Sequence, residues 1–300
     1  MTGALLPALG LGTASLALVP EAMAHATLDR ALAAGLRYFD TAALYGGGVA
    51  EDRLGHALRN APGDVLVSTK CGRTRNYGAA PPGQTGVADH WDYSENAIRA
   101  SIARSCERLG REHLDIVFLH DIEAAPDQAL GEALPVLRDF QSKGRIGRVG
   151  AGCNSVAGLL RALEEGAVDC LLVAGRWTLL DRTAGAQLLP RAAVADCLIV
   201  AGGVLNSGLL ADPDAPDARF DYKPASSSVR EEARGLAVRT AEAGVSLLAA
   251  ALQFPGRDAR VSTTLLGVAS RDELDAALAA LQEPIPPALW DAVADAGIGR

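Results

Sequence analysis

Residues 39–46 read FDTAALYG: an apolar approach, an acid at Asp40, then Tyr45 at the head of three glycines. The run RYFDTA at 37–42 reads as a strand, yet it carries a carboxylate where the cover of a core should continue. A charged residue is rarely fully buried unless it is paired, so Asp40 marks the end of the strand and calls for a partner. Outward from it, the same cadence recurs. Strand candidates are ALGLG near 8–12, DVLVSTK at 64–70, LDIVFLH at 114–120, RVGAGC at 148–153, CLLVAG at 170–175, CLIVAG at 197–202 and TTLLGV at 263–268. Continuous apolar runs of this kind belong to strands covered on both faces.

Helical patterns separate them, over 22–34, 50–59, 127–143, 155–165, 184–196, 228–254 (with a break near Gly244) and 271–282. In YSENAIRASIARSCERLG, residues Ile98, Ile102, Cys106 and Leu109 recur at helical spacing, Asp92 with Glu95 predicts a capping box, and Gly110 predicts the stop. Eight strands alternating with helices, with no linker and no shift in composition, predict one α/β domain over 1–300, a (β/α)8 TIM barrel. A doubly wound open sheet shares the alternation and is the runner-up. The stretch ADPDAPDARFDYKPASSS at 211–228 is the most loop-like.

Composition narrows the function. A formal charge of -8, from 28 basic and 36 acidic residues, argues against a nucleic-acid surface, and no segment is long and apolar enough to span a membrane. Five scattered cysteines without C-x-x-C spacing predict reduced thiols in a cytoplasmic protein, and five scattered histidines predict no metal site. The apolar start MTGALLPALGLGTASLALVP lacks the basic n-region of a signal peptide. Within a barrel, Asp40, Lys70 and His120 end strands two, three and four, and Asn154 follows strand five. All four then lie at the rim where barrels carry their chemistry. With Tyr45 on the adjoining loop, they predict a shared site.

On GLGT, RYFDTAALYG, VSTK, LDIVFLH and LLGVAS, the chain resembles the aldo-keto reductase family. The resemblance implies a catalytic set of Asp40, Tyr45, Lys70 and His120 and a nicotinamide cofactor held without a G-x-G-x-x-G loop. In this chemistry Tyr45 exchanges the proton of the reacting oxygen, Lys70 brings the phenol's pKa down, Asp40 keeps Lys70 charged, and His120 orients the substrate. The cofactor contacts implied are Thr13, Asp40, Asn154, the loop of Asn206, Ser207, Gly208 and Leu209, and Gly267, Ser270 and Glu273 at the last junction. Glu273 has two readings: a carboxylate that meets a free ribose hydroxyl and so favours NAD over NADP, or the end of a capping box begun by Ser270. Two places depart from the family pattern, Ala174 and Gly202 standing for a glutamine and an aromatic residue.

The phrases AGRWTLLD and GGVLNSGLL look most like the family's NAD-preferring sugar dehydrogenases. That likeness implies a small-molecule sugar substrate, oxidised from hemiacetal to lactone, with Tyr45, His120, Trp91 and Arg176 as substrate contacts and His90 and Trp177 as further pocket candidates. Pyridoxal oxidation and NADPH-dependent reduction of aldehydes or ketones are the alternatives within the family. Outside it stand a cofactor-sensing barrel with little turnover and a Schiff base on Lys70.

Overall fold

The apolar runs become β1 (Leu9–Gly12), β2 (Tyr38–Asp40), β3 (Leu66–Cys71), β4 (Leu114–His120), β5 (Ile146–Cys153), β6 (Cys170–Ala174), β7 (Leu198–Gly202) and β8 (Val261–Gly267). Every pairing is parallel, and β8 returns to β1, so the sheet closes. Closure excludes the open sheet. The computed structural model describes residues 6–59, 61, 63–75 and 89–298. Residues 1–5 of the apolar start lie outside that set. No single described helix is long and apolar enough to cross a membrane.

Two cores follow from closure. Leu6, Tyr38, Ile116, Phe118, Cys170, Leu172, Val200 and Leu265 fill the barrel, while the larger cluster, with Phe39, Val67, Val117 and Leu119, lies between strands and helices. A Cβ on Gly10 would stand 2.6 Å from the Tyr38 ring, so the glycine of GLGT makes room for a tyrosine inside the barrel.

Some helix expectations need correction. The capping box of Asp92 and Glu95 does not form. The helix Glu95–Leu109 is capped by Ser94, whose Oγ accepts from Ala97 N at 3.4 Å, and Asp92 instead accepts from Ser94 N at 3.0 Å. Asp92 stands two residues before the N-cap, too early to reach the free amides of the first turn. Gly110 does end that helix, at φ 64°. The segment 127–143 divides into Pro126–Gln128, a π turn over Ala129–Ala133 and Leu134–Ser142. The segment 184–196 shortens to Leu188–Val194, with Ala184 N bonded back to Arg176 O in the turns before it. The break at Gly244 separates Ser227–Glu242 from Leu247–Gln253. Within the loop-like stretch, Arg219–Phe220 and Lys223–Pro224 form a small hairpin turned by Asp221 and Tyr222, at φ 51° and 62°. That is the positive-φ turn that matches strand twist; aspartate tolerates it and tyrosine rarely does.

Candidate active site

Period-two alternation decides what enters the barrel. Tyr38 and Asp40 on β2, Ser68 and Lys70 on β3, and Phe118 and His120 on β4 share the inner face, with Asp40 opposite Ser68 and Lys70 opposite Phe118. A polar ladder climbs through them. Ser68 Oγ donates to Asp40 Oδ1 at 2.7 Å, so it must accept from the Tyr38 hydroxyl at 2.9 Å. Lys70 Nζ donates to Asp40 Oδ2 at 2.5 Å and to the Thr41 carbonyl at 2.8 Å. Asp40 and Lys70 are 3% and 2% exposed, a burial that two charges tolerate only when each finds such partners. The partner that the sequence demanded for Asp40 is Lys70.

The loop after β2 returns Tyr45 to this pair. Its tight course needs φ of 64°, 67° and 104° at Gly46, Gly47 and Gly48, after which the helix Val49–Leu58 begins. The Lys70 ammonium lies over the Tyr45 ring, 4.8 Å from its centre, close enough for its charge to act on the phenol. The His120 ring stands edge-on to Tyr45, 6.0 Å away at 88°. Asp40, Tyr45, Lys70 and His120 therefore converge.

Their electrostatics correct one expectation. Burial pushes the Tyr45 phenol up to about 12, against the pull of Lys70. The ammonium does not bring the phenol below its ordinary value, because taking a phenolate out of water costs more than one cation already shared with Asp40 returns. Burial also opposes the Lys70 charge, but the Asp40 carboxylate outweighs it and holds the ammonium above its ordinary pKa. At His120, burial and then the charges of Lys70 and Arg73 hold the imidazole well below its usual range, so it is neutral. Its Nδ1 is buried without a partner among the described residues. An orphaned N–H is rarer and costlier than an orphaned lone pair, which leaves the proton on Nε2. The Tyr93 hydroxyl fixes the backbone by donating to His120 O at 2.6 Å.

Three residues that sequence reasoning missed stand beside this set. Asp121 follows His120 with φ 54°, its carboxylate 3.7 Å from His120 Nε2. Arg73 pairs with both Asp121 and Asp89 and lies 4.9 Å from the ring centre of Trp91. Tyr222, on the hairpin turn, is near enough for its phenol to feel Lys70, Arg73 and Asp121. The available signals were an acid directly after the strand-end histidine and an Asp-Tyr pair inside a proline-rich loop.

On the far side of the described rim, the strand ends carry small residues. Gly12 pairs with Gly267 and Ala174 with Gly202 at the ends of β1, β8, β6 and β7. A Cβ at Gly267 would meet nothing within 4 Å. Beside these strand ends, the helix Arg271–Ala280 opens with Ser270 Oγ accepting from Glu273 N at 3.2 Å, while Glu273 Oε2 accepts from Ala269 N at 2.8 Å. The capping box is thus half formed: Ser270 caps the helix, but Glu273 reaches back to Ala269 N and not to Ser270 N, and its second oxygen has no partner among the described residues. Thr13 lies against Asp40, its N and Oγ1 both donating to Asp40 O, at 2.9 and 3.1 Å. The Asn154 side chain is half-buried with no hydrogen bond among the described residues. Small residues at the strand ends, a carboxamide without a described partner and a helix N-terminus with one carboxylate fit a nicotinamide dinucleotide.

Other contacts are not brought to these strand ends. Arg176 donates to Asn154 O at 2.7 Å and to Asp181 at 2.8 Å, and pairs with Asp221. It ties three loops together and is not a free substrate contact. Asn206 is buried, accepting from Thr178 Oγ1 at 2.7 Å and donating to Gly175 O, and Leu209 is in the core. Ser207 Oγ accepts from Tyr222 N at 3.2 Å, and the amides of Gly208 and Leu209 close turns. The loop 206–209 therefore anchors the Tyr222 hairpin by its own bonds. Trp177 packs on Phe254 at 5.2 Å, whereas Trp91 and His90 are exposed on the hairpin strand Asp89–Trp91.

The Aldo/keto reductase family model matches residues 8–297. D-threo-aldose 1-dehydrogenase of a Pseudomonas species is 38% identical over 314 aligned positions, covering 98% of this chain and 95% of that protein. Pyridoxal 4-dehydrogenase of Microbacterium luteolum is 34% identical, covering 99% of this chain and 96% of that one. Among solved structures, the glycerol dehydrogenase of Gluconobacter oxydans superposes with a TM-score of 0.79 at 21% identity, covering 97% of this chain and 91% of that one. At that identity, the last likeness shows the fold alone.

Proposed function

The chain belongs to the aldo/keto reductase family, and from that premise we propose that it is an NAD-preferring aldose 1-dehydrogenase that oxidises a cyclic hemiacetal to a lactone. Membership and its dehydrogenase relatives make it an oxidoreductase acting on CH–OH groups with a nicotinamide cofactor. The observation that carries the finer reading is the convergence of Tyr45, Lys70, Asp40 and His120 beside a rim able to take a dinucleotide. The 38% identity to an aldose dehydrogenase supports the sugar. For NAD, the support is Glu273: its carboxylate repels a ribose phosphate, and the neighbouring Arg271 is drawn to Asp275 at 3.6 Å. Five unpaired cysteines fit a reducing cytoplasm.

Thr13, Asn154, Ser270 and Glu273 would hold the dinucleotide, whose oxidised ring supplies the hydride acceptor. Tyr45 takes the proton of the hemiacetal hydroxyl as the C1–H bond is lost, and Lys70 stabilises the phenolate that accepts it. Neutral His120 donates from Nε2 to the same oxygen and so fixes which C–H faces the small-residue strand ends. Because the phenol titrates at about 12, its basic form grows with pH across the whole neutral range. The log of kcat/KM for oxidation is therefore expected to climb with a slope near one from about pH 7 to about pH 10. A plateau beginning below pH 8 would show that Tyr45 is not the titrating base.

The direct test offers NAD or NADP with a panel of aldoses and pyridoxal, following the absorbance of the reduced nicotinamide. Turnover of an aldose with NAD at least about tenfold better than with NADP is expected. Turnover of pyridoxal alone, or of simple aldehydes with NADPH alone, would sink the reading.

A further inference from the structure

We propose that Asp121 is a specificity residue, accepting a hydrogen bond from the hydroxyl on the carbon next to the one oxidised. The inference rests on the aldose reading above and deepens it: the site then selects substrates with two neighbouring oxygens. His120 Nε2 and Asp121 Oδ2 lie 3.7 Å apart, too far for a direct hydrogen bond. Neighbouring oxygens of a sugar ring, separated by about one hydrogen-bond length, bridge such a gap. One accepts from Nε2–H, and the other donates to the carboxylate.

The chain holds Asp121 for this task. Its backbone sits in the left-handed region at φ 54°, fixed by Asp121 N donating to Gly152 O at 2.8 Å. Its carboxylate is one-fifth exposed and bonded to Arg73, which is itself bonded to Asp89 and stacked over Trp91. Burial raises the Asp121 pKa, and the Arg73 guanidinium works against that shift. Paired in this way, the carboxylate is a charged acceptor, the stronger kind for a neutral hydroxyl. It is also pre-set, because its cation is locked from the other side.

A carboxylate that only anchored Arg73 would not distinguish substrates, and this separates the two roles. The experiment compares kcat/KM for an aldose with that for its 2-deoxy analogue, in wild type and Asp121→Asn, with thermal unfolding of both proteins. Wild type should prefer the hydroxylated sugar by about 10- to 100-fold. In Asp121→Asn the preference should fall to about threefold or less, because the hydroxylated sugar loses more rate than its 2-deoxy analogue. Equal slowing of both substrates, or a wild type indifferent to the hydroxyl, overturns the proposal while leaving the aldose reading intact. Should Asp121→Asn fail to fold, Asp121→Glu, which keeps the charge for Arg73 but moves the acceptor by one methylene, carries the same comparison and should lose the preference too. A wild type that oxidises pyridoxal and no aldose overturns the reading above and this inference together.

Discussion

Tyr45→Phe is expected to lower kcat for oxidation by about 1,000-fold or more while leaving the fold and nucleotide binding intact. The substitution removes one oxygen and little else. The ring keeps its edge-on contact with His120 at 6.0 Å and its place 4.8 Å from the Lys70 ammonium. Lys70 retains both Asp40 and the Thr41 carbonyl, so no buried charge is orphaned. What vanishes is the group that takes the proton. His120 cannot replace it, because Nδ1 is sealed off and Nε2 already carries the donor proton. Stopped-flow turnover beside a thermal shift with NAD separates the two properties. A variant within tenfold of wild type would mean that another group moves the proton. Loss of binding in parallel with rate would mean that Tyr45 builds the nucleotide site.

The legible part of this site was the part written along single strands. Asp40, Lys70 and His120 each end an apolar run, and period-two alternation then fixes their shared inner face without further information. Tyr45 is legible through its distance from Asp40 and the glycines that follow. Residues whose partners come from separate loops were not. Arg176 reads as a pocket cation in sequence, but its acceptors lie after β5 and in the loops near Asp181 and Asp221, and only closure of the barrel brings these together. Asn206 likewise finds Thr178 and Gly175 across a neighbouring loop. The capping error at Asp92 came from a helix start misplaced by one short step, since Ser94 has the cap chemistry and the right register. The Tyr45 pKa was the hardest to read, because its sign depends on burial, which the chain order of charges does not express.

Lys70→Met is expected to cost both stability and rate, which distinguishes it from Tyr45→Phe. Removing one member of a buried pair leaves an uncompensated charge, a loss of about 3–5 kcal/mol. In a chain of this size that lowers the unfolding midpoint by roughly 10 °C. Among the described residues, Asp40 would keep the Ser68 hydroxyl at 2.7 Å as its donor in place of an ammonium. The wild-type contribution has a defined pH window: Lys70 is raised in the fold, so its stabilisation is fully present below about pH 10.4 and fades as pH climbs through the folded pKa. The rate should fall by about 100-fold or more, since the one charge that lowers the Tyr45 pKa is gone and burial acts alone. Asp40→Asn in the same chain removes the orphaned carboxylate, so the double variant should unfold at a higher temperature than Lys70→Met while remaining as inactive. Thermal denaturation of the single and double variants reads the coupling directly. Should the double variant be no more stable than Lys70→Met, the cost would lie in lost packing around the lysine stem, and the ion pair would not be what holds the barrel mouth together.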